Sequence, residues 1–245
     1  MSVTSAPAEP QQRGLGPGRS VPVPAPPCLS DSQSSDMGSA TTDELSRWAA
    51  TTTGVVFCGG KSSRMGVDKA LLTDEQGHTM LERARRALAP LSREVWLACG
   101  PSARYADLGL PLVLDQRPDG GPLAGLETVL DRATTAWVAV LACDMPRVSS
   151  DSLRRLLHKA EAESLDACWM ETTSGTEPLC AVYARTCLVP VRAALDAGRR
   201  RMIAFHAYPV GGRALRLAGL DVSEPHLAQN LNTPADWDEF RKGTR

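Results

Sequence analysis

Residues 53–72 read Thr53-Gly-Val-Val-Phe-Cys-Gly-Gly-Lys-Ser-Ser-Arg-Met-Gly-Val-Asp-Lys-Ala-Leu-Leu72. Val55 to Cys58 is a short apolar run, β-branched and aromatic, that stops at Gly59-Gly60; this pattern predicts a buried strand ended by a turn. Between Gly60 and Gly66 lie Lys61, Ser62, Ser63 and Arg64. Glycines let the backbone approach a ligand closely, and successive amides in such a loop form a cradle for anions. The stretch therefore predicts a phosphate grip between a strand and whatever follows. It fits neither common phosphate loop. A dinucleotide fold needs G-x-G-x-x-G, and a P-loop needs Lys directly after its last glycine, whereas Lys69 stands three residues beyond Gly66.

Outward from this loop the chain divides into a tail and a domain. Residues 1–50 are rich in Pro, Ser, Gly and Gln without helical or alternating period, and are expected to be disordered because they cannot offset their ordering entropy. Residues 51–245 are expected to form one domain. The tail lacks the uninterrupted apolar segment of a secretory signal, and no other stretch reads as a membrane span. A formal net charge of -1 gives no field to recruit nucleic acid or an acidic membrane. Seven cysteines without a C-x-x-C pair or zinc-like spacing argue against a bridged secreted framework and for a reducing cytoplasm.

Within the domain, the periodicity predicts a helix over 79–91, strands over 94–99 and 110–114, and a helix entered through Gly120-Gly121-Pro122. Trp137 to Ala142 is the most apolar run and suits a central parallel strand covered on both faces. A helix capped by Ser149 or Ser150 follows. This order predicts an α/β fold: a three-layer, open, mostly parallel sheet with helices on both faces and ligands at the carboxyl ends of its strands. Beyond it, the pattern suggests strands over 167–170 and 179–184 around a polar loop, a helix over 186–197 stopped by Gly198, a helix over 202–208, a strand over 213–217 and a last helix opened by Thr233-Pro234.

Asp144 follows the central strand, a position suited to holding Mg²⁺ against phosphate oxygens; a helix-capping role competes less well, since Ser149 and Ser150 stand nearer to the helix. Lys69 can fold back over phosphates held by the loop, with the planar fork of Arg64 opposite. Asp115, after a strand, is a weaker candidate and as readily a turn former. None of the four histidines falls in a motif, and no nucleophilic dyad is visible. Two cations, a phosphate loop and a metal carboxylate suit phosphoryl or nucleotidyl transfer, in which positioning and charge neutralisation carry the rate.

The loop G-G-x-S-x-R-M-G-x-D-K-A-L-L resembles the signature of nucleotidyltransferases, most closely that of the molybdenum cofactor guanylyltransferases. The resemblance extends to Asp115, Gly121-Pro-Leu-Ala-Gly, Cys143-Asp-Met-Pro, Glu177-Pro-Leu with Tyr183, Gly198-Arg-Arg-Arg and Asn230-Leu-Asn-Thr-Pro. It implies that Phe57, Cys58, Gly59 and Gly60 hold the nucleotide with Lys69, Leu97 and Asp115, that Asp144 binds it through Mg²⁺, and that Arg64, Lys69 and Asp144 serve catalysis. Asn230 and Asn232 would face the pterin; the run Arg199-Arg200-Arg201 reads either as cations completing the end of the preceding helix or as a clamp, Arg200 among them, on an anionic acceptor phosphate. The implied reaction joins GMP from GTP to molybdenum-bearing molybdopterin and releases pyrophosphate. Partners would then include GTP, molybdopterin, and molybdenum-insertion proteins or molybdoenzyme chaperones. Phe57-Cys58 stands where Leu-Ala is common, Leu97 where a polar residue is, and Arg147 where an aromatic or apolar one is. Cytidylyl transfer to the same acceptor, transfer to another small phosphate, and a non-catalytic molybdopterin carrier stay open as alternatives.

Overall fold

A computed structural model describes residues 42–59, 68–117, 119–173, 175–222, 227 and 229–242. The chain opens on helix α1 (Thr42–Thr51) and runs directly into strand β1 (Thr52–Phe57). Helix α2 (Met80–Leu88), β2 (Val95–Ala98), β3 (Leu112–Val113), α3 (Gly121–Arg132) and β4 (Trp137–Ala142) follow. The second half holds α4 (Ser150–Ala162), β5 (Ala167–Thr172), β6 (Gly175–Ala184), α5 (Leu188–Asp196), β7 (Leu217–Asp221) and α6 (Pro234–Lys242).

Seven strands form one sheet in the order β3-β2-β1-β4-β6-β5-β7. The first four are parallel, and β6 alone runs against its neighbours β4 and β5. The expected mostly parallel, three-layer α/β architecture is therefore present. Strand alternation splits the core in two. Val56, Leu97 and Leu141 point to the layer of α1, α2 and α4, whereas Val55, Phe57, Ala98 and Val140 point to the layer of α3 and α5. Strands β1 to β3 step outward on one side of β1, and β4 is then laid on the other side. This reversal leaves a crevice at the carboxyl ends of β1 and β4, where open α/β sheets bind ligands.

Several element boundaries differ from the sequence reading. The domain begins before residue 51, because α1 docks through Trp48, which is fully buried and donates its indole N–H to Glu161 of α4 at 3.0 Å. Arg47 joins the same carboxylate at 2.8 Å. Leu45 packs beside Trp48 one turn earlier, but two large apolar residues in a ten-residue polar helix give too short a period to mark a docking face. The expected tail over residues 1–41 lies outside the described residues.

The expected polar loop of 171–177 is a hairpin instead, in which Glu171 pairs with Thr176 and the strands continue beyond the core. The last strand lies over 217–221 and not 213–217. Arg213 is drawn away by Asp166, and Gly219 of β7 passes Glu171 so closely that a Cβ there would lie 2.7 Å from its carboxylate. Residues 202–207 form a 3-10 helix.

Arg147 has its guanidinium 5.3 Å over the ring of Phe240 in α6, which Arg83 also covers. This stacking accommodates a cation at a position where the resemblance leads to the expectation of an aromatic or apolar residue. All six described cysteines are free and buried. Among the described residues no helix is long and apolar enough to cross a membrane.

Replacing Trp48 by Ala should destabilise the domain by about 3–5 kcal/mol, the usual loss for deleting a buried aromatic. Chemical denaturation measures it; a loss below about 1 kcal/mol would mean that α1 is not part of the cooperative unit.

Candidate active site

The carboxyl ends of β1 and β4 open into a cleft of about 500 Å³. The backbone of β1 carries on past its last residue: Cys143 N–H donates to Phe57 at 3.0 Å, and Cys58 N–H to Ala98 at 3.0 Å. Gly59 therefore emerges tight against the end of β2. A Cβ on Gly59 would lie 3.1 Å from the Gly100 nitrogen, so a side chain would force the two loops apart. The opposite wall is the first turn of α3. Pro122 stands in its first turn, where a missing amide costs nothing. A Cβ on Gly125 would meet the Phe57 ring at 3.0 Å and the Asp115 carboxylate at 3.2 Å. Glycines at both places let two walls close around the floor made by Phe57 and Ala142.

Asp144 lies at the mouth of β4 with a side chain 26% exposed. Burial pushes its carboxyl up from the usual range, and the ammonium of Lys69, 3.9 Å away, opposes that shift. The Lys69 ammonium also donates to the Leu231 carbonyl at 2.7 Å and to Asn232 Oδ1 at 3.1 Å. Leu231 N–H in turn donates to the Asp144 carbonyl at 2.9 Å. The 230–232 strap is thus tied across the end of β4, with Leu231 buried beneath it. Asn230 reaches Glu177 of β6 at 3.4 Å. Burial pushes Glu177 up; Asn230 opposes this, and the nearby charge of Asp144 adds to it. Asp236 fixes the other end of the strap, accepting from Asn232 and Thr233 N–H, both at 2.8 Å.

Of the residues singled out in the sequence, Phe57, Gly59, Asp115 and Asp144 line the cleft, and Lys69, Asn230 and Asn232 meet at its edge. Asp115 is held by its backbone N–H to Gly100 at 3.0 Å, and burial pushes its carboxyl up. Arg200 is exposed, with its carbonyl 3.6 Å from where a Gly121 Cβ would sit, beside the entrance to α3. Gly60 and Arg64 lie outside the described residues.

Two of the expected nucleotide-contacting residues have side chains that do not face the cleft. Leu97 is fully buried on the sheet face away from the cleft, since strand side chains alternate; its neighbour Ala98 lines the cleft. The Cys58 side chain likewise turns from the cleft, its Sγ 3.3 Å from that of Cys99, so only its backbone can serve a ligand. The sequence reading missed Ser102 and Arg104 on the wall beyond β2, and Glu177 as the anchor of the strap. Gly100-Pro101 at a strand end was the available signal for the first; nothing local marks the second.

An α/β sheet with its cleft at the strand reversal, a glycine-walled floor, a lysine and a carboxylate at its mouth define a nucleotidyltransferase. The chain belongs to the MobA-like NTP transferase domain family, which matches residues 54–210. It is 35% identical over 188 residues to a protein of Deinococcus radiodurans named "Probable molybdenum cofactor guanylyltransferase", covering 77% of this chain and 93% of that one. A protein of the same name from Opitutus terrae is 33% identical over 205 residues, covering 81% and 98%. The crystal structure of molybdopterin-guanine dinucleotide biosynthesis protein A from Archaeoglobus fulgidus shares the fold, with a TM-score of 0.65 and 22% identity over 78% of this chain and 98% of that one.

The raised carboxyl of Asp144 means that its ionised form is less favourable in the folded than in the unfolded chain. Asp144→Asn should therefore raise the thermal midpoint of metal-free protein at pH 7. The gain should fade as pH falls through the raised range of the folded carboxyl and be largely gone below about 4, where the carboxyl is neutral in both states. Thermal melts of both proteins between pH 3 and 7 check this; a lowered midpoint at pH 7 would mean that the Lys69 pairing outweighs burial.

Proposed function

We propose that the protein transfers GMP from GTP to the phosphate of molybdenum-bearing molybdopterin, giving the guanine dinucleotide cofactor and pyrophosphate. One observation carries the reading. Lys69 spans from the nucleotide cleft at Asp144 to the Asn230–Asn232 strap, so one ammonium stands between a donor chamber and a second polar edge suited to an acceptor. The names of the relatives supply the chemistry of the acceptor and the base.

Asp144 fits a Mg²⁺ ion held by one protein carboxylate. It is an anion that burial disfavours, opening to the cleft, and among the described residues no further cluster of ligating side chains competes. Mg²⁺ commonly takes one or two carboxylates and completes its shell with water and substrate phosphates. When bound it supplies charge neutralisation to the triphosphate. The protein's own residues do the rest. Gly59 brings β1 backbone against the nucleotide, while Asp115 and the first turn of α3 close the opposite wall. Lys69 neutralises charge where donor and acceptor phosphates meet.

The acceptor phosphate, with a second pKa of about 6, is mostly dianionic at neutral pH and needs no general base. Its oxygen attacks the α-phosphorus of GTP; the new P–O bond forms as the bond to the bridging oxygen breaks, and pyrophosphate leaves. The loop cations, Arg64 among them, are assigned to the triphosphate. Arg200, at the rim, is assigned to the acceptor phosphate.

Purified protein incubated with molybdopterin, Mg²⁺ and each nucleoside triphosphate in turn should form the guanine dinucleotide. A preference for CTP would assign the protein to cytidylyl transfer, and binding without turnover to a carrier. Asp144→Ala should cost at least about 100-fold in rate, several kcal/mol of transition-state stabilisation, while the protein still folds. Arg200→Ala should raise the KM for molybdopterin about tenfold, or about 1.4 kcal/mol, and leave GTP binding unchanged. A fall in GTP affinity instead would remove Arg200 from the acceptor side.

A further inference from the structure

Lys69 owes its position to the short 3-10 turn Lys69–Leu71, and that turn is held from both ends. On the far side Leu72 accepts the N–H of Met80 at 3.0 Å, joining the turn to α2. On the cleft side Asp68 caps it. Its Oδ1 accepts from Ala70 N–H at 3.1 Å, and its carbonyl accepts from Leu71 N–H at 3.1 Å. Ala70 is buried beneath, so the turn cannot roll without lifting it.

What holds Asp68 comes from a separate part of the chain. The guanidinium of Arg104 donates to Asp68 Oδ2, and the Tyr105 hydroxyl lies 2.9 and 2.8 Å from the two carboxylate oxygens. Arg104 Nη2 and the Tyr105 oxygen are themselves 2.6 Å apart, and the guanidinium carbon is 4.9 Å over the Tyr105 ring. Tyr105 has φ +62, in the left-handed region. A bulky aromatic residue takes up that conformation only where its surroundings require it, and such residues gather at functional sites. Here the conformation delivers a buried ring whose only polar atom meets Asp68.

The arrangement also solves an electrostatic problem. A bare carboxylate next to Lys69, beside a cleft that takes a triphosphate, would repel the donor and compete for the ammonium. Arg104, which lines that cleft, pairs with the Asp68 charge instead. Burial alone would push the Asp68 carboxyl up; the hydrogen bonds from Tyr105 and Arg104 outweigh it and hold the carboxyl below the usual range.

We infer that Arg104 and Tyr105 are positioning residues of the transfer reaction: they clamp Asp68 and, through its cap on the 3-10 turn, hold Lys69 where donor and acceptor phosphates meet. The inference rests on the nucleotidyltransferase reading of Lys69 but not on the identity of the acceptor. It distinguishes a clamp from a wall: removing the Tyr105 hydroxyl should matter only while Lys69 is there to be positioned.

A double-mutant cycle on the full chain tests this. Equilibrium binding of Mg²⁺ complexes of GTP, CTP and ATP is measured for the parent, Tyr105→Phe, Lys69→Ala and the double variant, with thermal midpoints alongside. For the triphosphate that the parent binds, Tyr105→Phe should weaken affinity about fivefold to tenfold in the parent background and less than twofold in the Lys69→Ala background. Asp68→Asn, which keeps a capping oxygen but loses the charge, should show the same dependence on Lys69. Equal losses in both backgrounds, or no loss in the parent, would overturn the clamp. A parent that binds triphosphate yet never transfers nucleotide to molybdopterin would defeat the proposed acceptor, while the binding cycle would still decide the clamp.

Discussion

The fold sets a carboxylate at the end of a strand that is buried almost throughout, at a cost to its own stability. Val138 to Leu141 of β4 are fully enclosed between two helical layers, and Asp144 stands three residues past them at the point where the strand order reverses. Burial disfavours its charge, and the Lys69 ammonium at 3.9 Å only partly compensates. Such a group weakens the resting protein, and carboxyls perturbed in this way gather at functional sites. Around it the fold is arranged so that charges arrive from elements far apart in sequence: Lys69 from the turn before α2, the Leu231 carbonyl and Asn232 from the strap before α6.

The strap gives the cleft its second edge. The 230–232 segment is not part of the sheet, yet it is tied to Asp144, Lys69, Glu177 and Asp236 by hydrogen bonds at its successive residues. Helix α6 stays put because Trp237 and Phe240 bury themselves against Met80 and stack with each other. A nucleotide site at the strand reversal is common to many α/β folds. Here Lys69 joins the mouth of that cleft to the C-terminal strap, and on the proposed function this is where donor and acceptor would meet.

Local pattern located most of the architecture because the relevant forces are local. The enclosed run of β4, the apolar run of β1, the period of α2 and the Ser149 cap of α4 each follow from residue types within a few turns or one strand, and all are present in the fold. Asp115 and Asp144 were recognisable as residues that follow strands, and their meeting in one cleft follows from parallel strands whose carboxyl ends share a side. Gly59 and Gly121-Pro-Leu-Ala-Gly were likewise legible, since glycines beside a strand end announce close approach.

Tertiary contact decided the remainder. Leu97 and Ala98 are neighbours in sequence, and only the register of β2 against β1 says which of them lines the cleft. Trp48 and Leu45 are the large apolar residues of a short polar helix, and the indole N–H of Trp48 meets Glu161, which is 113 residues away. Arg104 and Tyr105 look like ordinary loop residues until Asp68 is brought beside them, 36 and 37 residues back along the chain. The sequence by itself determined most of the strands and helices up to β6 and marked the carboxylates that follow two of the strands, because propensity, capping and period act over a few residues. It could not determine which distant charges would neutralise one another in the cleft, because that pairing exists only once the sheet has set its strand order and closed its two layers.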